Sequence, residues 1–185
     1  MDVRTVGAGG GSIATVAEIT GALRVGPESA GATPGPVCYP NGGTYPTVTD
    51  AFAALGYLPP ALLGGTFQLD ISKARSAIEE FIANPMKISM EEAAEGIIRI
   101  ATEKMYGNLR SVSVEKGKDP RQFHLVSFGG AGGLVACALS ELCGTAYPTI
   151  VPPSPGGTLL RTVPIALYLL IYSSSVCFGR CFDCR

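Results

Sequence analysis

Two glycine-rich stretches are the parts of this chain whose residue types and spacing can do chemistry. The first, Thr5 to Ala14, reads TVGAGGGSIA and sets Gly7, Gly9, Gly10 and Gly11 ahead of Ser12. The second reads SFGGAGGL and carries Gly129, Gly130, Gly132 and Gly133. Each follows an apolar segment, and the second precedes a helical pattern. Glycine weakens a strand or helix by roughly 0.5–1 kcal/mol relative to alanine, so such runs need a cause. One cause is close approach of the backbone to an anion, because turn amides and a helix N-terminus together hold phosphate. The other is tight packing of strand on strand or strand on helix. Neither stretch is a Walker A loop, since no Gly-Lys-Ser/Thr follows. Neither is a dinucleotide fingerprint, since Ser12 and Val135 stand where the last glycine would be. A single motif of this kind is weak; two in one chain favour a nucleotide.

The elements that must position these loops are legible in part. DVRTV is expected to form a short strand before the first loop. SIATVAEI and ALRVG read as a hairpin turning at Thr20-Gly21. Residues 26–47, rich in Gly and Pro, read as an ordered loop or flap. Asp50 opens DAFAALGYL, a short helix with Asp50 as its N-cap and Gly56 near its end. LDISKARSAIEEFIAN is amphipathic, with Asp70 or Ser72 as cap and Ala74, Ala77, Ile78, Phe81 and Ile82 on one face. Ser89-Met90-Glu91-Glu92 is a capping box. It opens a long helix with Ala94, Ile97, Ile98, Ala101, Met105, Leu109 and Val112 as its stripe, ending near Gly117. FHLVSFGGAGGLVACALSELCG followed by PTIVPP predicts a βαβ unit with a glycine-rich first turn.

Composition removes several function classes. The chain has 185 residues, a net charge of −1 and 16% charged residues. It therefore lacks the basic excess that binding a nucleic-acid backbone requires. Hydrophobic content of 46% excludes a disordered chain despite 24 glycines and 14 prolines. Cys38, Cys137 and Cys143 sit among small residues and read as buried thiols of a reducing compartment. No apolar leader follows Met1, so the cytoplasm is the expected location. From residue 158 the character changes. The apolar run Val163 to Tyr172 is shorter than the ~20 residues a membrane span needs. Cys177, Cys181 and Cys184 supply three zinc ligands where a structural site takes four. His124, the only histidine, precedes a strand and reads as structural.

The words DVRTVGAGGGSIA, LRVGPESAGATPGPVCY, GGTYPTVTDA, VSVEKGKDPRQFHLVSFGGAGG and VPPSPG occur in this order. Together they resemble the C-terminal part of the hydantoinase A/5-oxoprolinase family, which includes acetone carboxylase subunits. The resemblance covers residues 2 to about 157 and makes 1–157 the domain. Residues 158–185 become a divergent tail of the kind left by a frameshift, retained intron or altered splicing. The implied fold is α/β, one lobe of the actin, sugar-kinase and heat-shock ATPase type. The implied activity is ATP-dependent opening of a cyclic amide of the 5-oxoproline or hydantoin kind, with ATP and Mg2+ as cofactors.

In that resemblance Gly9, Gly10, Gly11 and Ser12 match a phosphate loop, the Ser12 hydroxyl adding a donor. Gly129, Gly130 and Gly132 match the loop under the adenosine. The superfamily often has an acidic residue two positions before the triple glycine. Here that position is Gly7, so Asp2 and Asp50 become the candidates for the catalytic, metal-positioning role, with no dedicated metal site expected. Glu28 and Ser29 either face the site or brace the loop. The family continues Phe-Gly-Gly-Ala-Gly with Pro-Leu-His; here Gly133, Leu134 and Val135 follow, so that histidine has no counterpart. The first phosphate loop of full-length members is absent. The expected partners are thus the missing N-terminal lobe, a second subunit or a second copy, and the cyclic amide. Two alternatives stay open: a ketone carboxylase subunit of the same family, and a non-catalytic product that cannot turn over ATP alone. Apolar surface is expected where the missing lobe would pack.

Overall fold

Alternation decides the first element. SIATV forms β1 (Ser12–Val16), burying Ser12 and Ala14 and exposing Thr15. LRVGPES forms β2 (Leu23–Ser29), antiparallel to it. The expected turn at Thr20-Gly21 is there, with Gly21 at φ +65°. The computed structural model describes residues 5–127, 129 and 131–150. It divides into two compact units, Met1–Leu109 and Arg110–Arg185.

In the first unit, Ala14 pairs with Val25 and Val16 with Leu23, and the register slips between Ser12 and Ala14. Gly26 lies in the slipped stretch at φ +62°, where an added Cβ would sit 2.6 Å from the Gly7 carbonyl oxygen. Only glycine fits there, because both the conformation and the clash exclude a side chain. On its other edge β1 takes the chain back: the Ala14 amide donates to the Pro46 carbonyl at 2.8 Å. What reads as a flap over residues 26–47 thus begins as strand, and Pro46 and Thr47 end it buried beside β1. Thr5 and Val6 are not strand, and the rest of DVRTV lies outside the described residues.

Helix α1 (Val48–Ala54) starts one residue after Thr47, which is its N-cap. Asp50 is therefore not the N-cap but the third helical residue, returning a bond to the cap in a capping box. The signal was Thr47-x-x-Asp50, with a carboxylate shorter than the usual Glu. Strands β3 (Ala61–Leu62) and β4 (Phe67–Gln68) form a small antiparallel pair. Leu62 and Phe67 from that pair help cover the buried cluster of Cys38, Ala53, Leu69 and Ala74.

Helix α2 (Ile71–Ile78) is capped by Asp70, whose carboxylate accepts from the Lys73 amide at 3.0 Å. It continues through a π turn (Glu79–Ala83) into α3 (Asn84–Met86). The predicted face is buried at Ala74, Ala77, Ile78 and Ile82, whereas Phe81 is half-buried against Tyr45. Helix α4 (Met90–Val112) carries the predicted capping box, with reciprocal bonds between Ser89 and Glu92. It ends at Val112, short of Gly117, which instead closes a separate 3₁₀ turn. Arg75 joins three helices, donating to the Ala54 carbonyl at 2.9 Å and to Glu91 at 2.7 Å.

In the second unit the expected βαβ unit survives as one parallel bridge, Val126 to Ile150, joined through α5 (Gly132–Cys143). The order and direction agree with the sequence, but neither side extends to a strand among the described residues. Cys143 is buried as expected; Cys137 is exposed, because it falls on the outer face of α5. The mixture is therefore of helices with antiparallel hairpins and one parallel bridge. No helix of the described residues is long and apolar enough to cross a membrane. The expected tail from 158, including Cys177, Cys181 and Cys184, lies outside the described residues, as do Asp2 and Gly130.

Candidate functional site

The first glycine loop is a tight turn in which the Gly9, Gly10 and Gly11 carbonyls are each engaged. The Ser12 amide donates to the Gly9 carbonyl at 3.0 Å, which makes Gly10 and Gly11 the central residues. The Gly10 carbonyl accepts twice from Thr49, from its amide at 2.8 Å and its hydroxyl at 2.9 Å. The Gly11 carbonyl accepts from the Ala30 amide at 2.9 Å. A trans peptide points its N–H opposite to its C=O. Tying down the Gly9 and Gly10 carbonyls therefore turns the Gly10 and Gly11 amides to the other side. Neither amide has an acceptor among the described residues. Two successive amides without a protein acceptor on a fixed turn are the kind of group that can hold an anion.

The glycines of this loop are there for different reasons. At Gly11 an added Cβ would meet Ser29 Oγ at 2.9 Å, and at Gly7 it would meet Pro27 Cβ at 3.2 Å. These two are packing glycines. Gly9 is not: it lies outside the left-handed region, and nothing stands within 4 Å of its would-be Cβ. Neither strain nor packing calls for glycine there, whereas a ligand resting on the loop would. Ser12 is buried and its hydroxyl accepts from the Gly9 amide at 2.9 Å, so its first task is to close the turn. Ser29 accepts from the Gly31 amide at 3.1 Å and so braces the loop beside it; Glu28 is exposed.

Asp50 is fully buried beneath this loop's support. Its carboxylate accepts from the Val37, Cys38 and Thr47 amides and from the Thr47 hydroxyl, at 2.7 to 3.1 Å. That many donors occupy the lone pairs a metal would use. Its geometry joins the 36–38 segment to α1, the helix that carries Thr49. Burial, and then the Asp50 charge, push the Cys38 thiol far above the usual thiol range. Cys38 is therefore a packing residue and no nucleophile. The same surroundings raise the Tyr39 phenol, burial again leading. Among the described residues no three His, Cys, Asp or Glu side chains cluster as a metal site.

The second loop is built otherwise. Gly129 sits at φ +92° with open space around its would-be Cβ, so its requirement is conformational. Gly132 opens α5, and there a Cβ would lie 3.0 Å from Ser127 Oγ. The Ser127 hydroxyl donates to the Gly132 carbonyl at 2.6 Å and stitches the helix start to the segment before it. His124 accepts its predicted structural role: Nδ1 lies 3.2 Å from the Pro148 carbonyl and its ring is against Tyr147. Sequence reasoning missed Thr49 and Ser127, both short hydroxyl residues beside a glycine loop, whose partners are set only by the fold.

Comparison with known proteins gives these loops a context. The family model of hydantoinase/oxoprolinase matches residues 1–160. Caprolactamase subunit alpha of Pseudomonas jessenii is 52% identical over 146 residues, covering 78% of this chain and 21% of that protein. The crystal structure of the ATP-dependent caprolactamase from Pseudomonas jessenii superposes with a TM-score of 0.77 at 50% identity, over 84% of this chain and 22% of that one. The nucleotide-free structure of acetone carboxylase superposes with a TM-score of 0.69 at 36% identity, over 75% and 20%. The chain thus spans about a fifth of the length of these relatives. The matched region includes both glycine loops and Thr49, Asp50 and Ser127, and by it the chain belongs to the hydantoinase/oxoprolinase family.

Proposed function

We propose that this chain supplies the phosphate-binding loop of an ATP-dependent hydrolase that opens a cyclic amide of the 5-oxoproline, hydantoin or lactam kind. The observation that carries this is Gly9 to Gly11: a turn with two free successive amides and a glycine that neither strain nor packing requires. In this reading the Gly10 and Gly11 amides hold phosphate oxygens, and the open face at Gly9 lets the phosphate rest on the backbone. Gly129, Gly130 and Gly132 would serve the adenosine side, within an actin-like lobe. ATP, when bound, supplies the phosphoryl group that makes an amide oxygen a better electron sink, so that water can open the ring. The chain's own share is positioning and charge stabilisation, the main levers in such transfers. Mg2+ fits here only as an ion held largely by phosphates and water, which is its usual mode. The residues described offer it no cage, and no step is assigned to it.

A second reading is a subunit of an ATP-dependent ketone carboxylase, favoured by the match to acetone carboxylase. Both readings need residues beyond the fifth of the relatives spanned here, so turnover belongs to the assembled enzyme in the cytoplasm. Calorimetric titration of ATP with magnesium into the full chain, and into Gly9→Ala, tests the loop. Binding at millimolar or better in the parent that is lost in Gly9→Ala supports it. No binding to a chain that melts cooperatively would sink it for the isolated chain. In the assembled enzyme, ATP consumption that depends on an added cyclic amide supports the hydrolase. Dependence on ketone plus bicarbonate supports the carboxylase.

A further inference from the structure

We propose that Thr49 is the positioning residue of the first glycine loop, the group that sets the direction of its free Gly11 amide. The proposal rests on the phosphate-loop function above and extends it to a residue outside the glycine motif. Thr49 is the second residue of α1, and its amide and hydroxyl both donate to the Gly10 carbonyl, at 2.8 and 2.9 Å. An amide at this helical position has no partner within its own helix. It is spent here on a carbonyl 39 residues earlier in the chain. Because the Gly10–Gly11 peptide is planar and trans, fixing its carbonyl fixes the Gly11 N–H in the opposite direction. Without the clamp, a peptide flanked by two glycines can turn over at little cost, since glycine tolerates both signs of φ. The turned peptide would present a carbonyl where an anion needs a donor.

The clamp has a rigid base. Thr47 caps the helix that bears Thr49, and Asp50, the next residue, is locked by four hydrogen bonds reaching Val37, Cys38 and Thr47. Thr49 is half-buried and acts on the loop through the Gly10 carbonyl. Its role is to remove a choice from the loop before the ligand arrives, which raises affinity by lowering the ordering cost.

The test uses the full chain with Thr49→Val, which keeps the shape and the amide but not the hydroxyl, and Thr49→Ser, which restores the hydroxyl. Two readouts are taken: ATP affinity by calorimetry with magnesium, and amide order parameters at Gly10 and Gly11 without nucleotide. The expected result is a roughly three- to tenfold weaker affinity in Thr49→Val, the scale of one hydrogen bond. Lower order at Gly11, a melting temperature close to the parent's and recovery of both readouts in Thr49→Ser complete it. Unchanged order and affinity in a folded Thr49→Val would overturn the positioning role. If Thr49→Val does not fold, Thr49→Ala takes its place: lower order at Gly11 with a cooperative melt supports the clamp, and parent-like order and affinity overturn it. If the parent binds no ATP but Thr49→Val loosens the Gly11 amide, the clamp stands and the nucleotide function falls.

Discussion

The two glycine loops look alike in the sequence and differ in how the molecule holds them. The loop at Gly9 to Ser12 is fixed from a distance: Thr49 clamps one carbonyl, Ala30 another, and Asp50 anchors the helix that delivers the clamp. Among the described residues of the second loop the supports are local, a left-handed Gly129 and Ser127, five residues before the Gly132 carbonyl it bonds. A loop held from afar keeps its amides free for a ligand, because the supports take its carbonyls. A loop held by its own conformation spends its glycines on the turn itself. Glycine count alone therefore does not identify a ligand site; the decisive glycine is the one with no structural reason to be there.

The largest effect expected from this difference is at Asp50. Asp50→Ala leaves four donors buried without an acceptor, and unsatisfied buried groups cost about 1–3 kcal/mol each before relaxation. With water entering to satisfy some of them, a net loss of about 3–5 kcal/mol is expected, seen as a large drop in urea midpoint. Asp50→Asn should lose less, since its amide oxygen keeps part of the set while its NH2 group faces donors. If Asp50→Ala melts near the parent, the first loop is not held from a distance and the contrast between the loops collapses.

Next in size come the glycines themselves. Gly129→Ala must place a side chain at φ +92° and should cost about 1–2 kcal/mol. Gly9→Ala should be neutral or stabilising by up to about 1 kcal/mol, because alanine restricts the unfolded chain and meets no clash here. Differential scanning calorimetry of the two variants separates them. A Gly9→Ala chain that is at least as stable as the parent yet has lost ATP binding would mark Gly9 as functional. Equal destabilisation of both would make the first loop as conformational as the second.

Much of this architecture was legible because its causes are local. The Ser89 to Glu92 box, the Asp70 cap and the Thr20-Gly21 turn each follow from neighbouring residues. So does the buried face of α2, set by a helical period. Asp50 was assigned to the right helix but the wrong position, since Thr47 three residues earlier competes better for the cap. The βαβ order was legible, whereas the extent of its strands depends on partners the segment FHLVSF does not contain. The first loop was visible as glycine, but the support of its Gly10 carbonyl was not. Thr49 has no motif, and its partner is 39 residues away. Cys137 was misplaced because composition gives the residue class and not the face of α5 on which it falls.

The smallest expected effect compares the two units in acid. In the first unit, hydrogen bonds from Ser72 and the Lys73 amide hold Asp70 below its ordinary value of 3.8. Backbone bonding and Arg75 lower Glu91, and the Ser89 amide and hydroxyl lower Glu92, from an ordinary 4.5. In the second, Arg121 lowers Asp119 from 3.8. A carboxylate whose folded value is depressed contributes stability that is fully present above its unfolded value and lost as pH falls through the folded one. Glu91 and Glu92 are exposed and Asp70 and Asp119 half-buried at the surface, so solvent and salt screen each contribution to a small one. The first unit has three such groups at the starts of α2 and α4; among the described residues of the second, the group lies outside any α-helix. Hydrogen exchange compared at pH 6 and pH 3 should therefore show the first turn of α4 losing more protection than the first turn of α5. Glu92→Gln should remove most of that loss at α4 and leave α5 unaltered. Equal loss in the two helices would mean that acid acts on the chain as a whole, and that the carboxylate caps do not distinguish the unit holding the first loop from the unit holding the second.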